Sequence, residues 1–431
     1  MRFLLLLSMM LLWAASAPSL AQSTWLQCGD TVDVESGELT GPRTLIIVDD
    51  RIDRILDGRV EAESGARAVD LAGMTCLPGL MDMHTHITSQ SSPTSYVQRF
   101  TKNPADVALD GVVYARRTLE AGFTTVRNVG DAFNASVALR DAINAGKVPG
   151  PRIYTAAKSL ATTGGHADPT NGWRSDLMGA PGPEDGVLNG IAQAREAVRQ
   201  RYKDGADLIK ITVTGGVLSV AKSGLAPQFT DDEVAAVVET ARDYGMHVAA
   251  HAHGREGMKR AIRAGIHSIE HGTMMDDETM ELMKEYGTWY VPTIMAGKFV
   301  AEKAEIDGYF PELVRPKARM IGPMIQDTFE RAWKAGVRIA FGTDCGVSPH
   351  GDNADEFVFM VETGMTPAEA IRTATLNAAE LLGVEDEAGI LGEGRWADVI
   401  AVNGNPLSDV SVLKDVGFVM KAGRVYKRKE I

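Results

Sequence analysis

Eight short apolar segments, each closed by turn residues, run through the middle of the chain at 76–86, 123–129, 152–160, 208–214, 246–253, 268–272, 289–295 and 339–344. Helix-period segments lie between most of them, for example at 105–121, 191–202 and 231–244. Strand-length apolar runs alternating with helices predict parallel strands joined by helical crossovers. A doubly wound open sheet and a closed (β/α)8 barrel both satisfy that alternation. The polar residues separate them, because they recur at the ends of the first, fourth, fifth, sixth and eighth segments. So many strand ends converge naturally in a closed barrel and awkwardly in an open sheet, and the catalytic face of a barrel is the C-terminal one. The expected fold is therefore α/β, with a (β/α)8 TIM barrel over residues 76–389.

The two ends of the chain read differently. Residues 22–75 carry β-patterned runs such as Thr44-Leu45-Ile46-Ile47-Val48, and 390–431 repeat the pattern with Ala397-Asp398-Val399-Ile400-Ala401-Val402. They suggest one small β-sandwich domain built from both termini. Ahead of them, Arg2, the apolar run 3–13 and the small residues at Ser19-Leu20-Ala21 read as a signal peptide over 1–21, cleaved after Ala21. No later run is long and apolar enough for a membrane helix, so the mature protein is expected to be periplasmic or secreted, with no membrane attachment. Three cysteines are too few for a disulfide scaffold. Cys28 and Cys76 either form the one bridge that export permits or sit as small buried hydrophobes. Lys and Arg number 44 against 57 Asp and Glu, and the resulting −13 speaks against a nucleic-acid partner. Near the end of the barrel, Thr366-Pro367-Ala368-Glu369 is a capped helix start and Gly383 a helix stop, predicting one helix over 366–383.

Side chains two apart on a strand share a face, so His84 and His86 both look into the barrel, and so do His251 and His253. Lys210 interrupts the apolar run Leu208-Ile209-Lys210-Ile211. A bare ammonium is costly there, which leaves a buried salt bridge or a neutral amine that has captured carbon dioxide as a carbamate. His271 ends the sixth segment and Asp344 the eighth. An acid sharing a face with several imidazoles points to a metal ligand or a general base. His166 follows the third strand in a Gly-rich stretch, where a plain loop histidine is one reading. The glycine-rich loop 215–227 carries Val217 and Leu218, a candidate apolar substrate wall that Tyr290 and Met295 could extend. His350 could line the mouth. His247 and His267 enter their strands from the opposite end and are read as structural.

The set His84/His86, Lys210, a strand-five histidine, His271 and Asp344 resembles the binuclear amidohydrolase superfamily. The segments Gly164-Gly165-His166-Ala167-Asp168, His251-Ala252-His253-Gly254 and Ser268-Ile269-Glu270-His271-Gly272 are most similar to its imidazolonepropionase-like and Xaa-Pro dipeptidase branch. The resemblance implies two divalent cations, Zn2+ in the first instance, bridged by an N6-carboxylated Lys210. One would lie on His84, His86, Lys210 and Asp344, the other on Lys210, His251 and His271, with His253 left to substrate and His166 as a further substrate contact. It further implies a metal-activated water as nucleophile, Asp344 as proton carrier, and a homo-oligomer, often an octamer. The expected substrate is a small molecule or short peptide with an amide to a C-terminal hydrophobic or cyclic amino acid. Ochratoxin A, an isocoumarin joined to phenylalanine, belongs to that class and would give ochratoxin alpha and phenylalanine. Within the same superfamily, an Xaa-Pro dipeptidase and a cyclic-amide hydrolase are the alternatives. A deaminase is disfavoured by Lys210, and a metal-free scaffold barrel by the intact ligand set.

Overall fold

Gly79 divides two bodies of β-structure in the computed structural model, which describes residues 23–429. The leader expected over 1–21 lies outside the described residues. On one side of Gly79, an eight-stranded sheet mixes both ends of the chain. Its order is Arg424–Arg428, Phe418–Lys421, Val399–Asn403, Arg67–Pro78, Thr24–Asp33, Arg43–Val48 and Arg51–Asp57, with Glu38–Leu39 paired on Thr24–Asp33. Val399 pairs with Pro78 and Ala401 with Cys76, so the C-terminal strands complete a sheet that the N-terminal strands begin. Cys28 and Cys76 are disulfide-bonded with Cα atoms 6.0 Å apart, on two parallel strands of this sheet.

The first barrel strand therefore begins at Leu80, and Cys76 belongs to the terminal sheet. Gly79 is required at the junction, since a Cβ there would lie 2.2 Å from the Thr124 hydroxyl. Leu80–Thr85, Phe123–Asn128 and Arg152–Thr155 pair in parallel, as do Ile209–Thr212, Val248–Ala252, Ser268–His271 and Trp289–Val291. Backbone hydrogen bonds join these two arcs into a ring. Leu160 N donates to Lys210 O at 2.8 Å and Thr212 N to Leu160 O at 3.0 Å. On the other side Tyr290 N donates to Arg338 O (2.8 Å), Met83 N to Phe341 O (2.8 Å) and Asp344 N to His84 O (2.7 Å). The third and eighth segments are less regular than their apolar patterns suggest. Ala157 at φ 53° bends the third after Thr155, and the eighth joins its neighbours through isolated bridges.

The outward faces of the strands, including Ile209, Ile211, Val248, Ala250 and Ile269, are buried under surrounding helices such as Gly190–Lys203, Asp231–Asp243 and Arg255–Arg263. The segment expected as one helix over 366–383 is two, Pro367–Thr373 and Leu376–Leu382. Its ends are as expected, with a Thr366–Glu369 capping box and Gly383 in the left-handed region at φ 70°. The break frees two carbonyls for the barrel: Thr373 O accepts from Phe341 N and Ala374 O from Met81 N. Ile371 O accepts from Thr375 Oγ1 as well as from Ala374 N.

Candidate active site

The strand ends open into one cavity of about 210 Å³. His84, His86, Lys210, His251, His253, His271 and Asp344 line one part of it. Val217, Leu218, Ala296, Gly297, Val300, Ile321, Ile325 and Val347 line an apolar part, and His166 also faces the cavity. His271 reaches the cavity against strand parity. Ser268 and Glu270 take the inward positions of their strand, and φ 68° at His271 swings its ring inward as well. Asp344 sits at φ 59°. Left-handed non-glycine residues are uncommon and cluster where geometry serves a site.

Five of the six cavity imidazoles have one nitrogen engaged, His166 being the exception. His84 Nδ1 donates to Glu270 Oε2 (2.7 Å) and His86 Nδ1 to Gly130 O (2.7 Å), so both keep an Nε2 lone pair for the cavity. His251 is reversed: Nε2 donates to Gly215 O (3.1 Å) and Nδ1 is left as the free donor atom. His271 Nδ1 pairs with Thr293 Oγ1 (2.7 Å) and His253 Nδ1 with Thr273 Oγ1 (2.8 Å). Burial first, then neighbouring positive charge, holds these rings neutral. His84, His251 and His271 are pushed well below the ordinary histidine range, His86 to about 4, and His166 and His253 to about 3. Neutral rings with one fixed N–H are in the form that metal ligation needs.

A divalent cation fits between His84, His86 and Asp344. Asp344 Oδ1 is buried without a hydrogen-bond partner, 3.6 Å from His84 Nε2 and 3.4 Å from His86 Nε2. Those gaps exceed a hydrogen bond and match donors each about 2 Å from a shared ion. Lys210 is 3% exposed, and among the described residues no hydrogen bond or ion pair engages its Nζ. Burial lowers its proton affinity and raises that of Asp344.

Three of the expected substrate contacts lie elsewhere. Tyr290 is fully buried in the core and its hydroxyl donates to His271 O at 2.9 Å, so it supports the site from behind. His350 is buried against Tyr114, ring centroids 4.9 Å apart, and its Nε2 donates to Ser89 O. Met295 is likewise absent from the cavity lining, which the next residues, Ala296 and Gly297, supply. His247 and His267 stack on each other at 3.9 Å, outside the lining.

Sequence reading passed over a buried support network. Glu270 accepts from Arg127 Nη2 (2.7 Å), Ser268 Oγ (2.6 Å) and His84, while Arg127 Nε donates to Met83 O. Asp82 accepts from His84 N, from Thr343 N and Oγ1, and from Asn353 Nδ2. Burial pushes Asp82 up to about 6 despite those four bonds. The available signal was charge inside apolar strands, in Phe123-Thr124-Thr125-Val126-Arg127 and Ser268-Ile269-Glu270.

A ring of parallel strands whose C-terminal ends gather imidazoles, a lysine and a carboxylate defines a barrel of the amidohydrolase kind, and the chain belongs to the amidohydrolase family, whose model matches residues 75–426. It is 36% identical to the ochratoxinase of Aspergillus niger over 372 residues, 81% of this chain and 75% of that protein. The crystal structure of a Xaa-Pro dipeptidase with bound methionine in the active site superposes with a TM-score of 0.92 at 54% identity, covering 94% of this chain and all (100%) of that one. A prolidase complexed with N-methylphosphonate-L-proline gives a TM-score of 0.86 at 31% identity, covering 95% and 100% of the two chains. The protein is a hydrolase of amide bonds with the TIM-barrel and β-sandwich architecture of this family.

Proposed function

We propose that the chain is a dinuclear metal-dependent hydrolase that cleaves the amide bond to a C-terminal hydrophobic or cyclic amino acid, ochratoxin A among its substrates. The observation that carries this reading is the cavity itself. Its metal-ligand end holds the unpartnered Asp344 Oδ1 between two imidazole Nε2 atoms, and its other end is apolar. His84, His86 and Asp344 would hold one cation, His251 through Nδ1 and His271 the other, and Lys210 as a carbamate would touch both. A buried lysine amine without an ion-pair partner supports the neutral, carboxylated form.

Bound cations would supply Lewis acidity toward the scissile carbonyl and a more acidic water. The chain does the rest. Asp344 takes the proton of the attacking water at Oδ2, the oxygen that ligation through Oδ1 leaves free, and delivers it to the leaving nitrogen. His253, locked by Thr273, and His166, whose Nδ1 is buried and unpartnered, orient the substrate. Val217, Leu218, Ile321 and Ile325 receive its apolar side chain and exclude water.

The test is release of free phenylalanine from ochratoxin A by zinc-loaded protein, beside a chelated sample. Metal-dependent release supports the reading. Absence of release from protein that binds two metals would move the substrate to Xaa-Pro dipeptides, in line with the similarity to a Xaa-Pro dipeptidase. Export stands within the same proposal, supported by the Cys28–Cys76 disulfide, which persists in oxidising compartments. Self-association is proposed on the exposed apolar residues Val97, Phe100, Leu109 and Val113. Light scattering is expected to return a multiple of the chain mass.

A further inference from the structure

One buried lysine holds the loop that forms the apolar wall. Loop 215–227 is pinched at its base, where Gly215 N donates to Ala226 O (3.1 Å) and Thr214 bridges Pro227. Between these points Val217 and Leu218 face the cavity. Gly216 packs flat on the His166 ring, whose atoms a Cβ would meet at 2.2–2.4 Å. Lys317, on the helix Arg315–Lys334, is 7% exposed. Its Nζ donates to Gly216 O at 2.9 Å, Ser219 O at 2.7 Å and Ala221 O at 2.9 Å.

Three N–H donors meet three carbonyls, and among the described residues no carboxylate pairs with this ammonium. A buried charge is tolerated only where dipoles replace its hydration. Here the dipoles belong to the loop, so the cation is satisfied only while 216–221 keeps this conformation. Lys317, Ile321 and Ile325 follow at four-residue spacing on one helix face, and both isoleucines line the same cavity. One helix thus supplies part of the apolar wall and the tie that holds the facing part.

Resting on the amide-hydrolase reading above, we propose that Lys317 is a positioning residue that clamps residues 216–221 and thereby selects substrates with a bulky apolar C-terminal side chain. It does not touch the reacting atoms. Its removal loosens Val217 and Leu218 while leaving the metal-ligand set intact.

The test compares metal-loaded wild type with Lys317→Met on N-acetyl-L-phenylalanine and N-acetyl-L-alanine, alongside amide hydrogen exchange of the intact chain. For the phenylalanine compound KM is expected to rise about tenfold with kcat within about twofold, and the alanine compound to change less than about twofold. Exchange over 215–227 should accelerate while the barrel strands keep their protection. In a Leu218→Ala background the lysine substitution should add less than about twofold to KM, because both act on one wall. A lower melting temperature with both KM values moved equally, or unchanged exchange over 215–227, overturns the clamp. Where the Met variant does not accumulate folded, Lys317→Gln keeps two N–H donors and is expected to shift KM the same way. If wild type hydrolyses neither compound, the substrate reading fails, and the exchange of 215–227 alone decides the clamp.

Discussion

His84 presents Nε2 to the cavity because Glu270 takes its other nitrogen, and Glu270 is itself held by Arg127 and Ser268. Partners behind metal ligands of this kind are worth about 10–100-fold in metal affinity. Glu270→Gln should weaken zinc binding by that order, read by competition with a chromophoric chelator, since the neutral amide also leaves Arg127 buried without its counter-charge. Lys210→Ala is expected to lose two-metal binding and activity together, checked by metal analysis of the purified variant. Full metal content and turnover would rule out the bridging carbamate. The ligand candidates were legible in the sequence because imidazoles and a lysine in apolar strands have few structural uses. His271 was legible by type only, since the left-handed turn that aims it is set by the strand end. Tyr290 misled because a large side chain at a strand end satisfies the same pattern whether it faces substrate or core.

Helix Ile294–Lys303 enters behind Thr293, which holds His271, and its first amides are capped from another element, with Glu356 accepting from Ile294 N and Met295 N. Burial pushes Glu356 up to about 8 against those two bonds. This helix packs on Arg315–Lys334 through Gly297 and Gly322. A Cβ on Gly322 would lie 2.5 Å from both Ala301 Cβ and Gly297 O. Gly322→Ala should therefore push the two pocket helices apart and cost about 1–3 kcal/mol of stability, measured by denaturant unfolding. Neither glycine was conspicuous in a chain with 44 of them. The helix over 366–383 shows the same limit: its caps are local and were readable, whereas its interruption answers hydrogen-bonding demands of barrel strands far away in sequence.

All nine histidines are held below their ordinary proton affinity, chiefly by burial, against raised carboxyls at Asp82, Asp344 and Glu356. The sign of the pH dependence follows. Below about 6.5 the unfolded chain protonates its histidines and the fold does not, which destabilises by up to about 1.4 kcal/mol per pH unit for each buried ring and by less for the exposed His247. The loss continues down to the folded values near 4 for His86 and near 3 for His166 and His253. The raised carboxyls act oppositely, gaining stability as pH falls from about 8 for Asp344 and Glu356 and from about 6 for Asp82, but they are fewer. Metal-free protein should therefore melt at progressively lower temperature from pH 6.5 to 4.5, as followed by calorimetry. A flat profile over that range would contradict buried neutral imidazoles.

The alternation of apolar runs and helices, the β-rich ends and the histidines, lysine and aspartate at strand ends were determined by sequence alone, because burial period and residue chemistry are local properties. Tertiary structure decided the rest. It set which side chain behind each ligand holds its tautomer, where the terminal sheet yields to the barrel at Gly79, which apolar residues face substrate, and which lysine anchors the wall. Each depends on groups distant in sequence meeting at hydrogen-bond or van der Waals range, and no spacing along the chain encodes those distances.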